Sequence, residues 1–466
     1  MDEETKQRLR ERFEQILAAQ DRRAETINDI ERIALAIGGQ VKQAAVEEIG
    51  QEAQTDHNPK NPNREDPNPE QENSSNQVAR IATKMPCPHC YKNAWFKAIR
   101  EITLQTLAGP LTLRRAYYHC KRSQSGFCPQ DTKLQITEGH YCTQAVAQEV
   151  AALSAGLPYE MAMAILQRLT SVRLSGRSAQ RLCIGPIAQI VEDFVQCRQE
   201  QMLPLAYLAK EQIPQGLPKP ITLYIEADGI QTPMEDGSWR EMKVGVVRAE
   251  FADGREQMPS RYISHLGDAA TFGKHWEALA LSCGSLKAKC LSVLGDGASW
   301  IWNLASQCFP KAVQILDFYH ASEYVAAVAR AVFGEQESTL KSWLGLRLSE
   351  LKQSRWSEFW SALDDLGQPA LESLVSLRTY FGNNASRMDY ASYVKRGLCI
   401  GSGLAESSCK RIVTQRLKCS GMHWSVGGAQ VIARLRGFLL GGEWDAFVAF
   451  WNRQNAQGKR VATSPL

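Results

Sequence analysis

Three acidic residues have the types and contexts that a metal-dependent reaction at phosphorus requires. Asp228 and Asp296 each end an apolar run and precede a glycine, in "ITLYIEADG" and "LSVLGDG", and Glu406 opens the basic segment "AESSCKRIVTQRLK". Converging carboxylates repel each other unless a cation lies between them, and Mg²⁺ (or Mn²⁺) prefers oxygen ligands. Two such ions activate a nucleophile and stabilise a leaving oxygen during displacement at phosphorus. Asp-Gly pairs are also common turn formers, so it is the combination of all three acids that favours metal binding.

A neighbouring aspartate, in "ILDFYH", competes with these three for a catalytic role. Asp317 also ends an apolar run, and His320 follows it by three residues. Strand order favours Asp296 as the partner of Asp228, because Asp317 ends the strand after it. We expect Asp317 and His320 to form a supporting pair, which either fixes a corner of the chain or places the imidazole near the scissile phosphate.

The elements around these acids predict a sheet that brings two of them together. Residues 216–320 alternate as three strands, a helix, a strand, a helix and a strand, the order of an RNase H-like core, in which the first and fourth strands are adjacent. Residues 321–400 are expected to be helical. Residues 401–455 are expected to return to the core as its C-terminal helices, with residues 456–466 as a tail.

Four cysteines in residues 81–135 have the pattern of a structural zinc ribbon. "CPHC" contains Cys87 and Cys90, and Cys120 and Cys128 follow across a predicted hairpin around Gly109-Pro110. Four thiolates suit tetrahedral Zn²⁺. Seven residues separate the last two cysteines, which is wider than a usual knuckle, so His89 and His119 stay open as substitutes, and reduced, unliganded thiols stay open as the alternative.

Basic residues in three segments predict contact with a polyanion. Residues 81–190 hold 13 lysines and arginines against 5 acids, although the whole chain has a net charge of only +4. Residues 136–215 are expected to contain a helix-turn-helix whose second helix opens near Ser175. Its basic residues, and those that follow Glu406, are candidate DNA contacts. They are Arg173, Arg177, Arg181, Lys410, Arg411, Arg416 and Lys418.

The remaining segments indicate which classes of protein the chain can belong to. Residues 1–50 have helical periodicity, and residues 51–80, rich in proline and asparagine, are expected to be a flexible linker. No apolar run approaches a membrane span, and the charged N-terminus is unlike a secretory signal. With 13 cysteines mostly in apolar contexts, we expect reduced thiols in a cytoplasmic protein.

The ordered motifs resemble those of bacterial insertion-sequence transposases of the ISKra type, which are similar to Mutator and hAT transposases. They include "CPHC", "YIEADGI", "LGDGASWIWNLASQCFPKAVQILDFYHASEY" and "GSGLAESSCKRIVTQRLKCSGMHWS". The resemblance covers roughly residues 80–455. It implies a multidomain α+β protein made of a zinc ribbon, a helix-turn-helix and an RNase H-like α/β core interrupted by an α-helical insertion.

The resemblance also implies an activity and its residues. Asp228, Asp296 and Glu406 would form a DDE triad for Mg²⁺-dependent cleavage at transposon ends, and the freed 3′-hydroxyl would then attack target DNA. Asp317 and His320 match a supporting D-x-x-H motif. Trp424 is expected either to stack on an unpaired base or to belong to the core.

From the resemblance we expect the protein to bind double-stranded DNA, both transposon ends and target. We also expect it to act on DNA as a homodimer or larger assembly and to lie at the bacterial nucleoid. A structure-specific endonuclease on the same fold and a DNA-binding regulator without catalysis are the alternatives.

Overall fold

A computed structural model describes most of the chain in eight stretches: residues 1–19, 27–57, 81–134, 136, 141–252, 258–334, 337–367 and 371–456. The fold is mixed α+β with two sheets and divides into two compact units. One comprises Met1–Pro186 and Phe450–Leu466, and the other Ile187–Ala449. Within the described stretches, no helix combines the length and apolarity needed to cross a membrane.

The first unit opens with a pair of packed helices, α1 (Glu3–Ala18) and α2 (Ile27–His57). Arg12 binds both Glu47 and Glu48 across the pair, at 2.8 and 3.1 Å. Helix α2 extends seven residues into the range 51–80 that the composition predicts to be a linker. The rest of that range, 58–80, lies outside the described residues.

A four-stranded antiparallel sheet follows, in the order β1-β2-β3-β4. Strand bounds are β1 (Lys84–Pro86), β2 (Asn93–Thr106), β3 (Gly109–Cys120) and β4 (Ser125–Phe127). The predicted hairpin at Gly109-Pro110 is confirmed, since Thr106 pairs with Gly109 and the two strands stay in register to Trp95 and His119, apart from one irregularity.

The first unit continues as short helices. They are α3 (Pro129–Lys133), α4 (Gln144–Gly156), α5 (Tyr159–Leu169) and α6 (Gly176–Leu182). Helix α6 begins at its cap, Ser175, whose Oγ accepts from the N–H of Ser178 at 3.1 Å. It packs closely on α5, because a Cβ on Gly176 would meet the Glu160 carboxylate. Two packed helices, α5 and α6, joined by a short turn, thus lie at the position predicted for the helix-turn-helix.

The second unit begins at Ile187, inside the range 136–215 that the sequence predicts as one domain. Helix α7 (Ala188–Met202) packs with later elements of this unit, as the ring contacts of Phe194 with Phe438 and Phe447 show. The apolar face of α7 is therefore buried against the second unit, which explains where the division falls.

The second sheet has five strands in the order β7-β6-β5-β8-β9. They are β5 (Thr222–Pro233), β6 (Trp239–Glu250), β7 (Arg261–Leu266), β8 (Cys290–Gly295) and β9 (Val313–Leu316). Strands β5, β6 and β7 are antiparallel neighbours, whereas β8 and β9 run parallel to β5. The predicted adjacency of the first and fourth strands is confirmed.

Helices cover the sheet and extend beyond it. Helices α8 (Ala269–Ser282) and α9 (Ser299–Cys308) connect the strands. After β9 the chain is helical, as predicted for residues 321–400. The bounds are α10 (Phe318–Phe333), α11 (Glu337–Lys352), α12 (Trp356–Asp364), α13 (Glu372–Asn384) and α14 (Tyr390–Lys395). Phe359 and Phe381 stack within this group at 5.6 Å between ring centroids, so α12 and α13 share a core.

The chain then returns to the sheet. Helix α15 (Gly403–Cys409) contacts both β5 and β6. It passes into a π-helical turn, Lys410–Thr414, before α16 (Gln415–Leu417). Helix α17 (Val426–Leu440) packs on β7, and α18 (Trp444–Ala456) ends the described chain.

Candidate metal sites and nucleic-acid interface

Asp228, inside β5, and Asp296, the residue that follows β8, lie at equivalent positions along two adjacent parallel strands. Glu226 of β5 pairs with Leu294 of β8, so the next aspartate on each strand lies two residues beyond this pair. Asp228 Oδ1 accepts from the N–H of its neighbour Gly229 at 2.7 Å, and both residues lie inside β5, which continues to Pro233. Asp296 follows the last residue of β8, and its Oδ1 accepts from the N–H of Ala298 at 3.0 Å. The turn interpretation of an Asp-Gly pair is therefore correct for Asp296 and wrong for Asp228, where the strand continues.

The raised pKa of Asp228 reflects its burial and the negative charge of the neighbouring Asp296. Burial raises the pKa of its carboxyl group, and the charge of Asp296 raises it further, against the lowering effects of the Gly229 N–H, Cys409 and His320. A divalent cation would relieve this repulsion. The pair therefore fits an oxygen-ligated metal ion such as Mg²⁺.

Glu406 lies on α15, which packs on the strand that carries Asp228, but its side chain is engaged elsewhere. Glu406 is about two-thirds exposed, and its Oε1 binds the Lys410 ammonium at 2.6 Å. In the described part of the chain, the three acids do not form a group whose ligand atoms all lie within 4.8 Å of one another. The structure thus brings Asp228 and Asp296 together, whereas the carboxylate of Glu406 is held in an ion pair with Lys410.

Cys409 is a neighbour of all three acids that the sequence did not single out. Burial raises the pKa of its thiol, and Asp228, Asp296 and Glu406 each add to the effect. The residue ends α15 immediately before the π-helical turn, a local irregularity that often marks functional sites. The thiol thus stays protonated among the carboxylates.

Asp317 fixes a corner of the chain. It is buried, and its Oδ1 accepts from the N–H groups of Tyr319 and His320, at 2.6 and 2.9 Å, as the cap of α10. Its Oδ2 accepts from the N–H of Ser402 at 2.6 Å and from the Ser402 hydroxyl. One carboxylate therefore joins the end of β9 to the residue that precedes α15.

The side chain of His320 does not bind Asp317; its Nδ1 lies 3.4 Å from Glu323 Oε2. Its imidazole is one of the charges that act on Asp228. The ring lies 6.0 Å from the centroids of both Tyr324 and Tyr380, which stack on each other at 4.1 Å. An aromatic group from α10 and α13 therefore stands beside the strand ends.

Tyr380 connects the helical insertion directly to the loop that carries Asp296. Its hydroxyl donates to the Asp296 carbonyl oxygen. The next residue, Gly297, has φ +106°, and a Cβ there would lie 2.6 Å from the Tyr380 ring. The backbone after Asp296 is thus held by a side chain from α13, a contact for which no local sequence pattern gave a signal.

Glu226 is a second buried carboxylate that the sequence did not single out. It lies on β5 two residues before Asp228 and is 1% exposed. Burial raises its pKa to about 7, opposed by the N–H of Ala405 and by Arg248. Its Oε2 accepts from the Ala405 N–H at 2.9 Å. Glu226 thereby fixes the first turn of α15 against the sheet.

A second group of metal-ligating atoms lies in the first unit. The sulfur atoms of Cys87, Cys90 and Cys120 all lie within 4.8 Å of one another, so this trio can hold a metal ion. Thiolates are ligands that structural zinc sites commonly use. Cys128 does not belong to the trio: it caps α3, and its carbonyl oxygen accepts from the Asp131 N–H at 3.1 Å. The structure thus assembles three of the four predicted zinc ligands.

Hydrogen bonds favour the thiolate form of Cys87. Burial raises the pKa of this thiol, but the Ser123 hydroxyl and the N–H groups of His89 and Cys90 outweigh burial and lower the pKa to about 6. His89 N lies 3.4 Å from the sulfur. Neither predicted substitute, His89 or His119, joins the described trio through its imidazole.

The predicted DNA contacts divide into exposed and buried residues. Most are exposed: Arg173, Arg177, Arg181, Lys410, Arg411 and Lys418. Arg416 and Trp424 are instead 1% and 7% exposed, and the guanidinium carbon lies 5.0 Å from the indole centroid. The indole N–H donates to the Leu417 carbonyl oxygen at 2.9 Å. These two residues pack inside the second unit, in agreement with the core alternative for Trp424.

Comparison with known proteins identifies a family. A curated relative, "UPF0236 protein in vanSb 3'region" from Streptococcus gallolyticus, is 24% identical over 344 residues, which cover 71% of this chain and 70% of the relative. The profile of an uncharacterised protein family matches residues 89–337, more than half of the chain, including Asp228, Asp296 and Asp317. The chain therefore belongs to the uncharacterised protein family UPF0236.

Proposed function

We propose that this chain is a DNA transposase of the DDE type, which cleaves phosphodiester bonds at transposon ends and joins the 3′-hydroxyl to target DNA. The observation that carries the proposal is the juxtaposition of Asp228 and Asp296 on adjacent parallel strands. A helix that packs on the same sheet and carries Glu406 supports it. The five-stranded order, with two parallel strands beyond three antiparallel ones, is that of an RNase H-like core.

Asp228 and Asp296 would hold Mg²⁺, and Glu406 would join them after leaving its ion pair with Lys410. The bound ions would activate the nucleophile and stabilise the leaving oxygen. His320 lies within electrostatic range of Asp228 and has an exposed edge, so it is suited to donate a hydrogen bond to a phosphate oxygen. Asp317 acts as a positioning residue, because its oxygens are occupied by the α10 cap and Ser402.

Exposed cations of both units would contact the phosphate backbone. Arg177 and Arg181 lie on α6, the second helix of the proposed helix-turn-helix, and Lys410 and Arg411 follow Glu406. Phosphate contacts from such residues position DNA without reading its sequence. A bacterial location at the nucleoid and assembly as a dimer or larger oligomer on DNA complete the proposal.

The test is cleavage and strand transfer by the full chain on DNA ends of its own element with Mg²⁺. Asp228→Asn and Asp296→Asn each remove a charged metal ligand worth several kcal/mol, so we expect activity to fall at least about 10³-fold. Asp365→Asn, at an exposed aspartate of the helical insertion, is the matched control and should retain activity.

The outcome also separates the alternatives. Cleavage that persists in Asp228→Asn would contradict the assignment of the metal ligands. Cleavage without joining would favour a structure-specific endonuclease. DNA binding with neither reaction, in wild-type protein that is folded and metal-loaded, would favour a DNA-binding regulator.

A further inference from the structure

Two turns in the first unit repeat one backbone conformation. Residues 87–90 are followed by Tyr91 at φ 57°, and residues 120–123 are followed by Gln124 at φ 52°. Only one other non-glycine residue in the described stretches, Ser354, has a positive φ. Left-handed backbone is costly for residues with a side chain. Its appearance at the same offset in both segments therefore marks two copies of one knuckle.

The sulfur atoms that open these knuckles are hydrogen-bonded in the same way. Cys87 Sγ accepts from the N–H groups of His89 and Cys90, two and three residues later. Cys120 Sγ interacts with the Ser123 hydroxyl and with the N–H groups of Ser123 and Arg122, again three and two residues later. Such N–H donors stabilise the negative charge of a thiolate ligand. Both segments are thus built to present a first ligand from their opening cysteine.

Ser123 occupies the position in the second knuckle that Cys90 occupies in the first. Its hydroxyl oxygen lies 3.3 Å from Cys87 Sγ, while Cys90 Sγ lies 3.5 Å from Cys120 Sγ. A second hydroxyl, of Ser125, lies 2.6 Å from Ser123 Oγ and 3.8 Å from Cys87 Sγ. Two serine oxygens therefore lie beside Cys87 Sγ, one of the three clustered sulfurs.

We infer that the metal site of the first unit is a C-x2-C…C-x2-S site, with three thiolates and an oxygen ligand at its fourth corner held by Ser123. Cys128 is not a ligand. Zinc accepts three protein ligands with oxygen in the fourth position, and this position exchanges more readily than a thiolate. The oxygen is either the Ser123 hydroxyl or a water bound to Ser123 and Ser125.

The experiment uses the full chain and Co²⁺, whose thiolate charge-transfer absorption reports how many sulfurs bind it. We expect one thiolate-bound Co²⁺ per chain, with the same charge-transfer absorption in the wild type and in Cys128→Ser. In Ser123→Cys the absorption should rise by about one third, since four thiolates replace three. Cys308→Ser, which removes a cysteine of the other unit, is the matched control and should match the wild type.

Other results would overturn the inference. A loss of about one quarter of the absorption in Cys128→Ser would make Cys128 the fourth ligand. The inference would also be contradicted by an unchanged charge-transfer band in Ser123→Cys protein that binds Co²⁺ through thiolates, or by a folded wild-type chain that shows no such band with Co²⁺. Ser123→Ala should keep the charge-transfer intensity of three thiolates. If its d–d bands are shifted from those of the wild type, the Ser123 hydroxyl is the ligand; if they are not shifted, the ligand is a water molecule.

Discussion

At the residue scale, strand β5 holds two carboxylates with different roles only two residues apart, a half-buried one at Asp228 and a buried one at Glu226. Asp228 faces Asp296, whereas Glu226, two residues earlier, accepts the N–H of Ala405 and is almost inaccessible. The first belongs to the proposed chemistry. The second joins β5 to the helix that carries Glu406, so its protonation state affects stability.

Glu226→Gln should remove a pH dependence of folding. The pKa of Glu226 is about 7 in the folded protein, above the 4.5 that is usual for a glutamate, so the folded state binds the proton more tightly. Wild-type stability is therefore lost as pH rises from about 4.5 to 7. At pH 8 the variant should be more stable, by up to about 3 kcal/mol, and at pH 4 the two should be equal.

Urea unfolding across this pH range measures the difference. Glu358→Gln, at an exposed glutamate of α12, serves as the control and should follow the wild type at every pH. Parallel curves for Glu226→Gln and wild type would show that Glu226 is ionised at neutral pH in the folded protein.

At the scale of elements, one aspartate joins the sheet to two helices. Asp317 caps α10 and accepts two hydrogen bonds from Ser402, so it determines where β9 ends and where α15 begins. Asp296, one strand away, accepts a single N–H from Ala298 through its side chain. These neighbouring aspartates differ in how much of the fold depends on them.

Asp317→Ala should destabilise the protein by about 2–4 kcal/mol, because it removes a helix cap and leaves buried donors unsatisfied. Asp296→Asn should change stability by less than about 1 kcal/mol, since an amide oxygen can still accept the Ala298 N–H. Denaturant unfolding at neutral pH without Mg²⁺ compares them. A fully stable but inactive Asp317→Ala protein would assign Asp317 to the chemistry instead.

At the scale of the whole molecule, positive charge is displayed by both compact units. The exposed arginines of α6 belong to the first unit, and Lys410 and Arg411 to the second. Phosphate contacts by either unit release counterions, so each contributes to the salt dependence of DNA affinity. The salt slope is therefore a measure of how many cations take part.

Arg177→Gln and Arg181→Gln should each weaken DNA binding and reduce the slope of log K against log salt by about 1. Fluorescence anisotropy with a labelled duplex at several salt concentrations gives both quantities. Lys341→Gln, at an exposed lysine of α11, is the control and should leave the slope unchanged. Equal slopes for all the proteins would exclude α6 from the DNA contact.

The sequence predicted the second sheet better than the details of its site. Alternating apolar runs identify strands locally, and strand order then places Asp228 beside Asp296. Tyr380 contacts the Asp296 loop from 84 residues away, and no local pattern encodes such a contact. For Arg416 a signal existed: Ile412, Val413 and Leu417 surround it at helical spacing on a buried face. Its charge alone suggested a surface position.

The zinc ligands show the same limit at short range. Counting cysteines led to Cys128, whereas the backbone places Cys120 and Ser123 at the spacing of the first knuckle. A search for sulfur cannot find an oxygen ligand. The C-x2-S spacing would have made Ser123 a candidate if serine had been admitted as a ligand type.

The contact between Gly297 and Tyr380 also limits what descendants of this gene can vary. Any side chain at position 297 would meet the tyrosine ring and would have to adopt φ +106°. Substitutions at positions 297 and 380 should therefore be coupled in evolution. A larger residue at 297 is tolerated only after residue 380 has become smaller and the loop has adopted another backbone conformation. Divergent copies of the protein should therefore change the two codons together or keep both.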